Sequence, residues 1–307
     1  MKPFDTERLS NAYTAYLPIP AKLEPHLEGA LHHVLRNPGN LIRPQIAFQM
    51  SVAYDLPDAH ATELAIALEY FHTASLLFDD LPCMDHAIER RGRQCVHVCF
   101  GESGAILAAL AFINRAYALT WRAVSTCPPQ RQRQALTYLE QQLGVEGLLN
   151  GQSLDLHYST LAHNRQTTEQ IASGKTVSLI RLAIVLPALL GGASEFELRL
   201  FDRIALYWGL SYQILDDLKD MLQCTAETGK TDSRDDALDR PNIALAIGIP
   251  AAVTRLARLI NLGERTLGRL LIAKPGVSFL HKLCNDLQKE AARITRNAGE
   301  KQTRELA

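Results

Sequence analysis

Apolar residues recur every three or four positions along nearly the whole 307-residue chain. This spacing gathers apolar side chains on one face of an α-helix, whereas alternating β-branched runs bounded by hairpin turns are missing. We therefore predict an all-α protein. The predicted helices cover residues 5–16, 20–36, 42–54, 58–80, 103–126, 129–149, 168–190, 195–222 and 250–264, with one or two more toward the end.

The composition is even along the chain, and no long linker rich in Ser, Gly or Pro divides it. A single domain over residues 1–307 is therefore predicted. The segments 103–113 and 177–190 are apolar over most of the helix circumference, which predicts a central position or a subunit interface for them. A homodimer is expected on this ground.

The charge of the chain is nearly balanced, with 32 Lys and Arg against 33 Asp and Glu. This balance gives no electrostatic reason to expect a nucleic acid or an anionic membrane as the main partner. The chain also shows no apolar run near eighteen residues and no signal or transit pattern, so a cytoplasmic protein without stable membrane insertion is predicted. Cys95, His97 and Cys99 have the spacing of part of a zinc site. A second cluster of ligands is missing from the sequence, so buried thiols near a loop are the alternative interpretation.

Two aspartate clusters each close a long apolar helix, where they oppose the helix dipole unless a cation compensates. A solvated acidic helix end is the alternative interpretation, but neither cluster contains the alternating Lys and Glu of an ordinary exposed face. Paired carboxylates on rigid helices suit Mg²⁺, which keeps several waters and binds phosphate oxygens. The predicted metal ligands are Asp79, Asp80 and Asp85 in the first acidic cluster and Asp216, Asp217 and Asp220 in the second acidic cluster.

Basic residues accompany both clusters. Arg90-Arg91-Gly92 follows the first cluster, Lys230 and Arg234 follow the second, and Gly174-Lys175-Thr176 lies between them in sequence. Arg and Lys beside a metal platform favour a diphosphate ester as the ligand. Walker-type and G-x-G-x-x-G loops are missing, which argues against nucleotide phosphoryl transfer.

Five motifs occur in order between residues 25 and 245. They are Asp79-Asp80-x4-Asp85, Arg90-Arg91-Gly92, Gly151-Gln152-x2-Asp155, Gly174-Lys175-Thr176 and Gln213-x2-Asp216-Asp217-x2-Asp220. Together they resemble the trans-isoprenyl diphosphate synthases of the polyprenyl synthetase family, and the segment HTASLLFDDLPCMD is most similar to bacterial geranylgeranyl diphosphate synthases. The resemblance implies an orthogonal helical bundle of the isoprenoid synthase type with a central active-site cavity. It also implies a Mg²⁺-dependent prenyltransferase that condenses isopentenyl diphosphate with an allylic diphosphate.

The resemblance further implies roles for single residues. Three Mg²⁺ ions would be bound together with the diphosphate. Their ligands would be Asp79, either Asp80 or Asp85, and Asp216. The resemblance implies contact with the leaving diphosphate for Arg90, Lys175, Lys230 and Gln213. It implies binding of isopentenyl diphosphate for Arg43, His72 and Arg91. Thr176 would shape the region where the carbocation forms. The residues alone leave other interpretations open. His72 could be an ordinary core histidine, and Thr176 an ordinary helix residue. Gln152 and Asp155 could either bridge helices or support the metal site.

Asn40 departs from the family pattern, because the family has a lysine at this position before its third helix. An ammonium contact to diphosphate would be exchanged for at most a neutral hydrogen bond, a loss of about 1–2 kcal/mol or roughly tenfold in affinity. The sequence therefore predicts weak binding of isopentenyl diphosphate.

The residues before Asp79 are expected to set the depth of the product pocket. Ala74 and Ser75 are small and would leave the first level open, whereas Tyr70 and Phe71, one turn deeper, are candidates for its floor. Ordinary aromatic packing is the alternative for these two rings. Because one helical turn of about 5.4 Å is close to one isoprene unit, this pattern favours a C20 product, geranylgeranyl diphosphate.

Three other functions stay open. A farnesyl diphosphate synthase would result if a residue from another helix shortened the pocket. A non-catalytic partner subunit of a prenyl synthase is supported only by Asn40, since both acidic clusters are retained. A terpene cyclase would usually carry an Asn/Ser/Glu metal triad where this chain has its second acidic cluster.

Overall fold

The computed structural model describes residues 6–222 and 240–305, with side chains described over 7–222 and 240–296. The described residues are almost entirely helical, which confirms the predicted all-α class. The helices are α1 (Thr6–Ala15), α2 (Pro25–Leu35), α3 (Ile42–Ala53), α4 (Asp58–Asp79), α5 (Val96–Val124), α6 (Pro129–Leu143), α7 (Leu148–Leu156), α8 (Arg165–Ala172), α9 (Ser178–Leu190), α10 (Glu195–Leu222), α11 (Ile243–Ile247), α12 (Ile249–Ala273) and α13 (Leu280–Glu305).

A short hairpin follows α4. Strand β1 (Glu89–Arg90) pairs antiparallel with β2 (Arg93–Gln94). Its two turn residues, Arg91 and Gly92, have φ values of 54° and 73°. Positive φ at both central residues matches the twist of a two-residue hairpin, and glycine at the second position makes this conformation accessible. Strands of two residues are too short to produce a periodic sequence pattern, so the hairpin was not predicted.

Some predicted helix boundaries change in the structure. The predicted helix 129–149 is divided into α6 and α7, and the predicted helix 168–190 consists of α8, a π-helical turn (Ser173–Val177) and α9. Helix α5 begins at Val96 and contains non-helical backbone at Gly101, so the predicted start at 103 lies just after this break.

The chain forms two compact units. The first comprises Met1–Leu136 and Leu186–Gly192, and the second comprises Thr137–Val185 and Ala193–Ala307. The prediction of a single domain stays a prediction.

In the first unit, α4 is the most enclosed helix, and it packs against α3 and α5. The side chains of α4 between Ala61 and Phe71 are all buried, because this stretch is apolar around almost its whole circumference. Tyr70 lies in an aromatic cluster with Tyr13 and Phe112, at ring-centroid distances of 5.3 and 5.1 Å. This packing holds the central part of α4, and the first acidic cluster begins at the end of the same helix.

In the second unit, α10 packs against α12 and α13. Leu210, Ile214 and Leu218 recur every four residues along α10 and are fully enclosed in the core of this unit. The approach of α12 depends on Gly263, because a Cβ there would lie 2.4 Å from Nε1 of Trp208. The second acidic cluster occupies the last two turns of α10.

Two helical stretches, Val96–Val124 and Arg165–Leu190, are long and apolar enough to cross a membrane by length and composition. In the structure, 33% and 67% of their most apolar windows are buried. A core helix of a folded domain satisfies the same two criteria, so the predicted lack of membrane insertion stays a prediction.

Candidate active site

The first acidic cluster begins where α4 ends. Asp79 and Asp80 are buried, and the chain then turns so that the backbone N–H of Asp85 donates to the carbonyl oxygen of Asp79 at 2.9 Å. Arg90 donates from Nε and Nη2 to Oδ1 of Asp80 at 2.7 and 2.6 Å. The guanidinium therefore supplies part of the positive charge that carboxylates at a helix C-terminus require.

The pKa of Arg90 reflects this pairing. Burial alone would lower it, but the hydrogen bonds and negative charge of Asp80 outweigh burial and raise it. Arg90 is thus held in a fixed position as a permanent cation beside the first acidic cluster.

Arg43 and His72 meet in the first unit, as the predicted isopentenyl diphosphate site requires. Nη1 of Arg43 donates to Nε2 of His72 at 3.2 Å, so His72 carries its proton on Nδ1. Burial and the charges of Arg43, Arg91 and Arg90 hold the pKa of His72 well below its usual value. At neutral pH, His72 is therefore an uncharged ring that orients Arg43.

Arg91 lies over the turn that precedes α3. Its Nη1 donates to the carbonyl oxygen of Asn37 at 3.4 Å. A Cβ at Gly39 would lie 2.4 Å from the guanidinium carbon, and Gly39 has a φ of 74°. Glycine is required at this position by both the close contact and the backbone conformation.

Asn40 stabilises the start of α3. Its Oδ1 accepts from the backbone N–H of Ile42 at 3.4 Å, and its carbonyl oxygen accepts from Nε2 of Gln45 at 3.3 Å. The side-chain oxygen is thus directed to the helix terminus, in a weak capping contact. This geometry gives Asn40 a structural role, and its predicted substrate contact stays a prediction.

Glu69 was missed by the sequence analysis, although it lies on α4 one turn before His72. Its side chain is 3% exposed. Burial raises the pKa of Glu69 to about 7, against the opposing charges of Arg43 and Arg91. A glutamate within an apolar helix, three positions before a histidine, was the available signal.

The predicted chain-length residues occupy different surroundings. The hydroxyl of Tyr70 donates to the carbonyl oxygen of Tyr13 at 2.6 Å within the aromatic cluster, which favours core packing for this residue. Phe71 packs edge-on against Tyr117 of α5, with ring centroids 4.9 Å apart. Ala74 is 1% exposed, while Ser75 is half-buried and donates from its hydroxyl to the carbonyl oxygen of His72.

The three aspartates of the second acidic cluster differ in exposure. Asp216 is exposed, Asp220 is half-buried, and Asp217 is 1% exposed. Asp217 accepts from the backbone N–H of Ile243 at Oδ2 and from Nε2 of Gln213 at Oδ1, both at 2.8 Å. Both of its oxygens therefore hold other parts of the protein together, which makes it the least suited of the three for a metal ion.

Two motifs far apart in sequence meet in the second unit. A Cβ on Gly151 would lie 2.4 Å from the backbone nitrogen of Lys175, so α7 and the π-helical turn approach as closely as backbones allow. Lys175 extends its Nζ to Oδ2 of Asp155 at 2.9 Å. Arg240 donates to the carbonyl oxygen of Asp155 at 3.2 Å. Asp155 thus contacts both cations, Lys175 through its carboxylate and Arg240 through its backbone carbonyl oxygen.

The π-helical turn also positions Thr176. Its hydroxyl donates to Oε1 of Gln213 on α10 at 2.7 Å, whereas Lys175 contacts Asp155 on α7. The wider turn lets neighbouring residues face two different helices, as π-helical turns at functional sites do. Lys230 and Arg234 lie outside the described residues.

The fit of Mg²⁺ can be judged from the donors. Within the described residues, no three side chains of His, Cys, Asp or Glu form a ready metal cage. Mg²⁺ does not require one, because it typically binds one or two carboxylates and completes its shell with phosphate oxygens and water. Asp79 and Asp85 in the first unit offer hard oxygen donors of this kind, and so does Asp216 in the second unit. The donors within each unit are of the chemical type that binds magnesium together with a diphosphate.

The fold defines the class of protein. A solved geranyltransferase from Helicobacter pylori, complexed with magnesium and isoprenyl diphosphate, superposes with a TM-score of 0.77 at 23% identity over 96% of this chain and 95% of that one. The similarity shows that the chain has the all-α fold of an isoprenyl synthase. A family model for polyprenyl synthetase matches residues 24–262, and the chain belongs to this family.

Curated relatives agree with this family. A chloroplastic geranylgeranyl pyrophosphate synthase of Capsicum annuum is 32% identical over 77% of this chain. A chloroplastic geranylfarnesyl diphosphate synthase of Leucosceptrum canum is 32% identical over 78% of this chain. The chain spans 64% and 66% of the lengths of these relatives, respectively.

Proposed function

We propose that the protein is a Mg²⁺-dependent prenyltransferase that joins isopentenyl diphosphate head-to-tail to an allylic diphosphate. The observation that carries the proposal is the presence of fixed cationic side chains, together with two acidic helix ends, in a chain of the polyprenyl synthetase family. Arg90 is held beside Asp80, and Lys175 is held by Asp155. Such pairs present charge to a diphosphate without reorganisation during the reaction.

The reaction breaks the C–O bond of the allylic diphosphate and releases the diphosphate. The isopentenyl double bond then forms a new C–C bond with the allylic carbon, and a proton is lost. Arg90, Lys175 and Lys230 would attract the departing anion, while Arg43, His72 and Arg91 would orient isopentenyl diphosphate. Mg²⁺ would be held by Asp79, by Asp80 or Asp85, and by Asp216. The metal would supply Lewis-acid stabilisation of the charge that develops on the diphosphate. We propose three ions.

The proposed product is geranylgeranyl diphosphate. Ala74 is small and buried, and Phe71 lies one helical turn deeper on α4 in contact with Tyr117. The Phe71 ring is therefore better placed than Tyr70 to limit chain growth. The relatives include geranylgeranyl and geranylfarnesyl diphosphate synthases, so the C20 product needs its own measurement.

A homodimer is proposed on the surface of α5. Ile106, Leu110, Tyr117 and Trp121 recur on one face of this helix and are 37%, 50%, 48% and 50% exposed. Such a continuous apolar stripe fits a second copy of the chain, since symmetric dimers are the commonest oligomers. Light scattering should give twice the chain mass, and Trp121→Glu should shift it toward the monomer. We also propose a cytoplasmic location, on the sequence grounds given above.

The function is tested by incubating the purified protein with Mg²⁺, radiolabelled isopentenyl diphosphate and, in turn, dimethylallyl, geranyl and farnesyl diphosphates. The dephosphorylated alcohols are then separated by chromatography. A labelled C20 alcohol is expected from each primer, and Asp79→Asn should reduce its formation by orders of magnitude. EDTA should abolish it.

Other outcomes would contradict the proposal in specific ways. A C15 or C25 end product would retain the reaction but change the proposed chain length. A hydrocarbon formed from geranylgeranyl diphosphate alone would indicate a cyclase. Turnover only after addition of a second prenyl synthase chain would indicate a partner subunit.

A further inference from the structure

Asp217 stands apart from the other aspartates in the second acidic cluster because it lies inside the second unit, within a chain of hydrogen bonds. Thr176 donates to Gln213 at 2.7 Å, Gln213 donates to Asp217 at 2.8 Å, and Asp217 accepts from the N–H of Ile243 at 2.8 Å. We propose that Asp217 is a positioning residue that fixes the direction of this chain and is not a magnesium ligand.

The direction follows from the chemistry of the groups. An ionised carboxylate only accepts hydrogen bonds, so Gln213 must turn its amide nitrogen toward Asp217. The amide oxygen of Gln213 then faces Thr176, and the hydroxyl proton of Thr176 must lie between these two oxygens. Thr176 can consequently offer only lone pairs to a ligand beside it.

Asp217 is anchored at the start of α11. Its carbonyl oxygen accepts from Nδ2 of Asn242 at 3.2 Å, while Oδ1 of Asn242 accepts from the backbone N–H groups of Ala244 and Leu245 at 2.9 and 3.2 Å. Asp217 and Asn242 are each 1% exposed. Coordination of magnesium by Asp217 would have to displace one of the two hydrogen bonds that its carboxylate oxygens accept. Asp216, the preceding residue, is exposed.

The direction of the chain matters for charge. A positive charge that develops beside Thr176 would meet an oxygen lone pair, whereas reversal of the chain would let the hydroxyl proton face it. Fixed dipoles of this kind stabilise charge without reorganisation. This chemical role rests on the proposed prenyltransferase reaction, but the positioning role of Asp217 does not.

The first test compares Asp217→Asn with Asp216→Asn, two changes of equal size. An asparagine at this position can accept from Ile243 and bond to Gln213 only if the Gln213 amide turns over. Thr176 then becomes the acceptor, and the charge-assisted hydrogen bonds to the carboxylate are replaced by weaker neutral ones. In magnesium-free buffer, Asp217→Asn should lower the thermal midpoint by about 3–8 °C, whereas Asp216→Asn should change it by less than about 2 °C.

Calorimetric titration with inorganic diphosphate in the presence of Mg²⁺ should show the opposite order. Asp216→Asn should weaken binding at least about tenfold, and Asp217→Asn by less than about threefold. Equal loss of binding in both variants, with no change in the magnesium-free midpoint of Asp217→Asn, would show that Asp217 is a metal ligand.

The second test exchanges the polar groups in a double variant that combines Gln213→Glu with Asp217→Asn. The introduced carboxylate could accept from both Thr176 and the amide nitrogen of the introduced asparagine, and the amide oxygen of that asparagine could accept from Ile243. The original direction is then restored, with Thr176 again the donor and two of the three hydrogen bonds made to a carboxylate. The double variant should therefore recover the thermal midpoint lost in Asp217→Asn. A double variant no more stable than Asp217→Asn would overturn the proposal.

The magnesium-free measurements separate this proposal from the function. If wild-type protein neither binds magnesium diphosphate nor elongates a prenyl chain, the proposed function fails. Recovery of stability by the double variant would still support the positioning role of Asp217.

Discussion

Glu69 provides a test of how the first unit balances burial against charge. The pKa of this carboxyl is raised from 4.5 to about 7 by burial, which the charges of Arg43 and Arg91 only partly oppose. The folded protein therefore keeps a proton that the unfolded chain loses above pH 4.5. Stability falls as the pH rises from about 4.5 to 7, because deprotonation is more costly in the folded state.

The magnitude follows from the shift. A difference of about 2.5 pKa units corresponds to about 3 kcal/mol, lost by the folded state once the pH exceeds 7. Glu69→Gln has no such proton to lose. The free energy of unfolding of the variant, relative to wild type, should therefore increase by about 2–3 kcal/mol between pH 5 and pH 8.

The assay is urea unfolding of both proteins at several pH values between 5 and 8, without ligand. Glu63→Gln serves as the control, because Glu63 is a buried acid on the same helix whose Oε2 contacts Nδ1 of His60 at 2.9 Å. Loss of this paired acid should destabilise the protein at pH 8. If Glu69→Gln instead loses stability relative to wild type as the pH rises, Arg43 and Arg91 outweigh burial and the reasoning is wrong.

Three further predictions concern the product, the substrate and the packing. Ala74→Phe should shift the main product from C20 to C15 in the chromatographic assay, and unchanged C20 output would exclude Ala74 as a depth residue. Asn40→Lys should lower the KM for isopentenyl diphosphate about tenfold with little change in kcat, and an unchanged KM would show that the new ammonium does not reach the substrate. Gly151→Ala should lower the free energy of unfolding by at least about 2 kcal/mol in urea unfolding, because its Cβ would lie 2.4 Å from the backbone nitrogen of Lys175. The matched control Gly268→Ala in α12 has open space and should be neutral or stabilising by up to about 1 kcal/mol, so equal effects would refute the contact argument.

The sequence carried the information for the helical class and for the motifs. Helical periodicity depends only on local spacing, so α3, α4 and α10 begin and end within a few residues of their predicted bounds. The breaks inside predicted helices were harder to place. The division between α6 and α7 and the π-helical turn before α9 depend on contacts with distant residues, such as the approach of Gly151 to Lys175.

The roles of single residues also divide into those that local sequence indicates and those that depend on tertiary contacts. Aspartates at helix ends were recognisable because their charges conflict with the local helix dipole, and the matching family model confirms the family that their motifs indicated. Glu69 was overlooked because its raised pKa arises from burial, which the sequence alone does not reveal. The role of Tyr70 as a floor residue stays a prediction, and only the structure shows that its hydroxyl donates to the carbonyl oxygen of Tyr13, a residue 57 positions away.

The sequence by itself determined the helical class and the family, because these follow from local periodicity and from ordered motifs. Only the tertiary structure separated Asp216 from its neighbour Asp217. The two residues are identical in type and adjacent on α10, but successive side chains on a helix point about 100° apart. One carboxylate therefore faces solvent, and the other lies in the core, where Gln213 and Ile243 occupy its oxygens.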